Sequence, residues 1–197
     1  MTRRIRPQLY YYIFLTDNSS FHGFINLQNF PRLRVLHSHV LFPEDSLVSI
    51  CRTLSTISEN SLESLLIEAK VAFCEIVGPQ VVLDADWATF CLQVARVMSR
   101  TGSRLEFKMT LMYCYTPLMD MDVYADLLGA RCECVIAKLS RQKLKSLEDS
   151  NPHLTIALSY DIEEGIYDGE DLQQPTEEFL NEQIDEYHKD REFLAEL

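Results

Sequence analysis

Apolar and polar residues alternate in four segments of the chain, and turn-forming residues open each segment. The segments are FPRLRVLHS (residues 30–38), NSLESLLIEAK (60–70), GSRLEFKM (102–109) and NPHLTIALS (151–159). Leu33 and Val35 in the first segment stand two positions apart, as do Leu105, Phe107 and Met109 in the third, and these residues are predicted to face the core. A period of two is typical of a β-strand with one buried face, and Gly, Pro and Asn favour the chain reversal before it. The pattern therefore predicts four strands.

Helical periodicity fills the stretches between these strands. In PEDSLVSICRTLSTI (residues 43–57) the apolar positions Leu47, Ile50, Cys51, Leu54 and Ile57 follow the spacing of an amphipathic helix. We expect Asp45 or Ser46 to cap its first turn, since side-chain oxygens there accept backbone N–H bonds.

A second helix is predicted in DADWATFCLQVARVMSRTG (residues 84–102), with Trp87 as a core anchor. Asp84 or Asp86 is expected to cap its start, and Gly102 to end it in a left-handed conformation. DMDVYADLL (residues 120–128) reads as helical. CVIAKLSRQKLKSL (residues 134–147) fits either a helix or a short strand followed by a helix, because periodicity does not separate the two.

Alternating strands and helices predict an α/β fold with parallel strands on one face and helices on the other. The segment LYYYI (residues 9–13) adds a fifth strand at the front. Leu33, Leu65, Leu105 and Leu154 lie 32, 40 and 49 residues apart. A regular leucine-rich repeat has about 20–29 residues. We therefore predict an irregular leucine-rich-repeat-like array over residues 1–164.

The formal net charge of −12 belongs to the C-terminal part of the chain. Residues 161–197 hold 14 Asp or Glu and 2 Lys or Arg, which leaves the remainder neutral. Residues 165–197 are interpreted as an acidic linker followed by a helix capped by Thr176, with an apolar stripe of Leu180, Ile184, Tyr187 and Leu194. Two interpretations stay open: a solvated, partly folded tail, or an amphipathic helix that docks on a partner or on its own domain.

Composition excludes several classes of partner and compartment. An acidic surface disfavours nucleic acid and anionic membranes, and the sequence holds no apolar run of 18 residues. The six cysteines form no C-x-x-C pair, and Cys132 and Cys134 are expected on one side of a strand. Scattered cysteines among apolar neighbours indicate small buried side chains in a reducing compartment. We expect a cytoplasmic or nuclear protein.

Motifs that carry chemistry are missing from the sequence. It contains no phosphate-binding glycine loop and no G-x-S-x-G elbow. His37 and His39 would face the same side of a strand and could reach one metal ion, but no third ligand stands at motif spacing. The aspartate pairs Asp84 with Asp86 and Asp120 with Asp122 are better explained as helix caps than as calcium ligands. No catalytic residue, metal site or cofactor is predicted.

The predicted binding surface is the exposed side of the sheet. Its residues are the polar ones that lie between the buried positions, and they carry both charge signs. They are Arg32, Arg34, Ser64, Glu68, Arg104, Glu106, Lys108, His153 and Thr155. A rigid face of mixed charge suits protein recognition, because the charges select the partner and its register.

The segments FPRLRVLHSHVLFP, NSLESLLIEA, DWATFCLQVARVM, RLEFKM and LTIALSYDIEEG resemble the leucine-rich C-terminal regions of fungal F-box-like proteins, over roughly residues 9–165. The resemblance implies substrate recognition within a ubiquitin ligase, with an F-box that grips an adaptor. The family's F-box begins with a Leu-Pro pattern, and this chain has no Leu-Pro dipeptide. The F-box is expected to be absent, adaptor binding is therefore not expected, and the chain is interpreted as a truncated or decayed relative.

Three functional hypotheses follow. The first is a non-enzymatic protein–protein interaction domain that binds through the sheet face. The second is a small enzyme whose site is built from loops, with His37, His39 and the aspartates as its candidate residues. The third is a regulatory inhibitor whose acidic tail occupies a basic partner.

Overall fold

The computed structural model describes residues 10–13, 25–30, 33–42, 47–59, 61–73, 79–113, 121–164 and 177–197. Strands and helices alternate along the chain, as the sequence predicts. The strands are β1 (Tyr10–Ile13), β2 (Val35–Phe42), β3 (Ser64–Phe73), β4 (Arg104–Tyr113) and β5 (Thr155–Glu164). The helices are α1 (Val48–Ser55), α2 (Trp87–Val97), α3 (Met121–Lys138), α4 (Lys145–Ser150) and α5 (Glu177–Ala195). A 3₁₀ helix (Pro79–Asp84) precedes α2, and a π-helical segment (Leu139–Leu144) joins α3 to α4.

The described strands form one sheet in the order β1-β2-β3-β4-β5, and every neighbouring pair is parallel. Each strand therefore lies beside the one that precedes it in the sequence. This arrangement confirms the predicted α/β class and the parallel pairing. It requires a crossover between consecutive strands, and helical segments supply it from β2 onwards.

One face of the sheet is buried in rows of matching residues. Leu36, Leu65, Leu105 and Ile156 are register partners, and the first three are at most 1% exposed. The sequence pattern had placed Leu33 and Val35 on this face of β2. Leu33 is buried but lies before the strand, and Val35 is only half-buried because its side chain points to the opposite face. Leu154 likewise lies buried just before β5.

The buried rows join the buried side chains of the helices in a single hydrophobic cluster. Trp87 anchors α2 in this core, as predicted. Its indole Nε1 donates to the carbonyl of Val82 at 2.7 Å, and its ring meets Phe90 and Phe107 edge-on at centroid distances of 5.4 and 5.3 Å. The large apolar ring gains from burial while its single polar atom keeps a partner.

The helix ends agree with the predictions only in part. Asp86 caps α2, because its Oδ1 accepts the Thr89 N–H at 3.0 Å. Gly102 has the predicted positive φ of 83°, but α2 already ends at Val97, so this glycine shapes the turn before β4 instead. The predicted caps of α1, Asp45 and Ser46, lie outside the described residues.

Residues 121–150 are helical throughout. Residues 134–147, for which the sequence allowed a helix or a short strand followed by a helix, are therefore helical. The strand expected around Cys132 and Cys134 is wrong. Both cysteines lie on α3 and are fully buried. Cys51 is also buried, while Cys91 is half-buried. These four behave as the small apolar side chains that the sequence predicts. Cys74 and Cys114 lie outside the described residues.

The C-terminal helix α5 packs on α3 through polar side chains. Among the side chains of α5 that the structure describes, Gln183 and Asp190 are buried, and both contact Arg131 of α3. The predicted apolar stripe is wrong in part, since Ile184 is 38% exposed. Tyr187 packs on the core, and the Leu180 side chain lies outside the description. Residues 177–195 form one continuous helix in contact with α3. Thr176 and the linker before it lie outside the described residues.

Candidate functional site

The second face of the sheet carries no row of buried apolar residues and is called the open face here. It consists of every second strand residue, beginning with Val35 in β2, Ser64 in β3, Arg104 in β4 and Thr155 in β5. These four are register partners, so the rows that follow them are also aligned across the sheet. Its described side chains are half-buried or exposed, with Thr110 as the buried exception.

Six of the nine residues predicted for the binding surface lie on the open face. They are Ser64, Glu68, Arg104, Glu106, Lys108 and Thr155. Arg34 directly precedes β2 and His153 lies two positions before β5, so both lie at the edge where the strands begin. Arg32 lies outside the described residues. The prediction omitted two open-face histidines, His37 and His39, although their spacing on a strand had been noted.

Arginines gather at the edge of the sheet where the strands begin, and this group is called the arginine edge. Glu63 Oε1 lies between Arg34 Nε at 3.5 Å and Arg100 Nη1 at 3.3 Å, and Arg104 Nη2 lies 3.0 Å from Glu106 Oε2. Arg34 also donates to the Ser61 carbonyl at 2.9 Å. Three guanidinium groups thus share two carboxylates, and each leaves donors for a further acceptor.

Acidic residues lie at the other end of β5. Asp161 and Glu163 are both exposed, and Asp161 Oδ2 lies 3.4 Å from Lys108 Nζ on the neighbouring strand. Ion pairs this exposed contribute about 1 kcal/mol or less, because water competes for both charges. These ion pairs can therefore exchange partners at low cost. The open face thus has a basic side, the arginine edge, and an acidic corner, which is formed by Asp161 and Glu163.

His37, His39 and Glu68 form a compact cluster in the middle of the open face. His37 and His39 project from the same side of β2, and the strand pairing places Glu68 directly opposite His39. Glu68 Oε2 lies 3.3 Å from His37 Nε2 and 3.1 Å from His39 Nδ1. The two imidazole rings stack with centroids 4.7 Å apart.

The surroundings of His39 favour its uncharged imidazole. Burial lowers the pKa of His39, the Glu68 carboxylate opposes that effect, and the charges of His37 and Lys70 add to it. Lys108 is the register partner of Glu68 in β4, but its ammonium contacts Asp161. The Glu68 carboxylate lies beside the two histidines instead. A neutral imidazole has the free nitrogen lone pair that metal binding and general-base chemistry both need.

A groove between α2 and α4 is the main alternative among the described residues. Its lining includes Cys91, Leu92, Lys143 and Leu147, and most of it is apolar. Burial raises the pKa of the Cys91 thiol to about 11, so this group stays protonated at neutral pH. The thiolate is the nucleophilic form of cysteine, and the groove therefore offers no activated nucleophile at this residue. Asp86, at its rim, is occupied as the cap of α2.

No helix among the described residues has the length and apolar character needed to cross a bilayer. No protein-family model, curated protein or solved structure matches the chain. The resemblance to F-box-like proteins therefore rests on leucine spacing alone. The functional argument is carried by the open face, with its arginine edge, its acidic corner and its histidine cluster.

Proposed function

We propose that the protein is a non-enzymatic recognition domain that binds a partner protein on its open face. The observation that carries the proposal is the sheet itself: one face is buried in the core, and the other presents aligned rows of mostly polar side chains. The role is similar to that of the substrate-recognition part of an F-box protein. The partner's identity and any link to ubiquitin ligases belong to the proposal.

A parallel sheet is a suitable platform for recognition because its backbone holds side chains in fixed rows. Strands lie about 4.8 Å apart, and side chains on one face repeat about every 6.6 Å along a strand. Binding to such a surface orders few backbone torsions, so little binding energy is lost to conformational entropy. The ladder from Ser64 to Thr155 gives this regularity across three strands.

The charges define the chemistry of the partner. The arginine edge offers guanidinium donors from Arg34, Arg100 and Arg104, which suit carboxylates. The acidic corner offers Asp161 and Glu163, which suit Lys or Arg. We therefore expect a partner segment with acidic residues over the arginine edge and basic residues over the acidic corner, a polarity that fixes its direction.

The same proposal includes an irregular leucine-rich-repeat-like origin for the array. The support is the row formed by Leu36, Leu65, Leu105 and Ile156, in which each strand from β2 to β5 contributes one large aliphatic residue at the same register position. The units between these residues differ in length, and helical segments of different length fill them.

Site-specific crosslinking tests the proposal. A photo-crosslinking amino acid is placed at Thr155 on the open face or at Leu92, which is 71% exposed on α2, and the chain is expressed in cells of its own source. We expect a discrete partner that crosslinks from Thr155 and not from Leu92. The purified partner should then bind the wild-type chain directly.

Charge reversal supplies the matched control. Arg104→Glu should weaken binding of that partner at least about tenfold, whereas Lys145→Glu on the exposed side of α4 should leave it unchanged. The proposal fails if both crosslinking positions capture the same proteins, or if the two charge reversals weaken binding equally.

A further inference from the structure

We propose that His37, His39 and Glu68 bind a divalent transition-metal ion of the Zn²⁺ class on the open face. The ligand atoms are His37 Nε2, His39 Nδ1 and Glu68 Oε2. This site goes beyond the recognition role and does not depend on it. Residues 37 and 39 alone supply two ligands, and the pairing of β2 with β3 supplies the third.

The spacing of the three ligand atoms fits one ion. All three lie within 4.8 Å of one another, and two of the separations are 3.1 and 3.3 Å. Zinc binds histidine nitrogen and carboxylate oxygen at about 2.0–2.2 Å in a tetrahedron, whose edge is then about 3.3–3.6 Å. The two shorter separations are close to that edge length, so the donors already stand near the distances that a shared ion requires.

The ligand set selects the class of ion. Two imidazoles and one carboxylate suit Zn²⁺ and the neighbouring first-row ions, whereas Mg²⁺ and Ca²⁺ prefer oxygen ligands throughout. Three protein ligands leave at least one coordination position for water. Bound in this way, the ion would tie β2 to β3 and place positive charge in the centre of the open face.

The exposure of the cluster suits both entry and retention of an ion. The side chains of His37, His39 and Glu68 are 18%, 25% and 30% exposed, so the cluster borders solvent, while the ligand atom His37 Nε2 is itself buried. Partial burial strengthens the attraction between the carboxylate and the ion.

Other metal-binding groups in the described chain compete weakly. Burial raises the pKa of Cys132 to about 12 and of Cys134 to about 11, so these thiols are poor ligands at neutral pH. Among the described residues, the cluster is the one group of three His, Cys, Asp or Glu residues whose ligand atoms come together.

Titration of the purified chain tests the site. The chain is purified without a polyhistidine tag, and bound metal is removed with a chelator. Calorimetry then measures the binding of Zn²⁺ and Co²⁺, and the visible absorption bands of Co²⁺ report its coordination. We expect one ion per chain and the strong visible absorption of four-coordinate Co²⁺. His39→Gln and Glu68→Gln should each weaken binding by at least about tenfold, the loss that even a supporting contact causes.

His153→Gln is the matched control, because His153 lies before β5 and outside the cluster. It should bind the ion as the wild-type chain does, and the metal should raise the thermal midpoint of both. Circular dichroism and urea unfolding without metal show whether the cluster variants remain folded. If folded cluster variants still bind one ion with wild-type affinity, or if the wild-type chain binds none, the proposal is overturned.

Discussion

Arg131 in α3 and Asp190 in α5 form an ion pair between the two helices, with Nε and Oδ2 3.6 Å apart and both side chains less than a tenth exposed. Gln183 and Glu186 of α5 also contact Arg131. Burial lowers the pKa of the Arg131 guanidinium, and Asp190 opposes that effect. A buried guanidinium without a carboxylate partner carries a large desolvation penalty. The contact between Arg131 and the carboxylates of α5 therefore holds α5 on α3.

Removing Asp190 should therefore destabilise the chain. Asp190→Ala leaves Arg131 buried with Glu186 as its remaining carboxylate, and we expect a loss of about 3 kcal/mol in the free energy of unfolding measured in urea. Glu192→Ala, on the exposed side of the same helix, should change it by less than about 0.5 kcal/mol. The double variant Arg131→Met with Asp190→Leu should be more stable than Asp190→Ala. A single variant as stable as its control would show that this contact does not hold α5.

The sequence predicted the elements well where the signal is local. Period-two segments became β2 to β5, and the aspartate before Trp87 became the cap of α2. The shift in β2 from Val35 to Leu36 arose because both are apolar, so the pattern fits either face and only the pairing with Leu65 decides. Docking of α5 on its own domain was one of two open interpretations, but the sequence placed an apolar stripe at the contact, whereas Gln183 and Asp190, which are buried there, are polar.

The histidine cluster shows the limit of reading a single strand. The spacing of His37 and His39 was visible in the sequence, but Glu68 is 29 positions from His39 and belongs to a different strand. Its place beside the histidines follows from the register between β2 and β3, which no local pattern contains. A search for acidic residues at every second position of the neighbouring strand would have found it.

Two adjacent leucines test the assignment of the two faces. Leu65 is fully buried in the core row, while its neighbour Leu66 is half-buried on the open face. Leu65→Ala should cost about 2–5 kcal/mol in the free energy of unfolding, because it leaves a cavity in the core. Leu66→Ala should cost about 1 kcal/mol or less. Chemical denaturation of both variants measures the difference, and equal losses would contradict the described alternation.

Asp86 should make stability depend on pH below neutrality. Its side chain accepts the Thr89 N–H, and this hydrogen bonding lowers the pKa of the Asp86 carboxyl in the folded chain. A lowered folded pKa means that the stabilisation is complete above the unfolded pKa of about 4 and is lost as the pH falls through the folded value. Asp86→Asn keeps an acceptor without this titration. The wild-type advantage over Asp86→Asn should therefore shrink in urea unfolding as the pH falls below about 5, and an advantage that does not change with pH would contradict the role of this carboxylate.

Lys70 should weaken metal binding at the histidine cluster. It lies two positions after Glu68 on the open face, and its charge already opposes protonation of His39. The same repulsion acts on a divalent ion, so Lys70→Gln should tighten Zn²⁺ binding about threefold to tenfold at low salt. The gain should shrink as salt is added, because Lys70 is exposed and its field is screened. Lys145→Gln, an exposed lysine on α4, removes the same charge from the chain and should leave the affinity unchanged. Equal effects of the two substitutions would mean that the ion responds to net charge and does not lie beside Lys70.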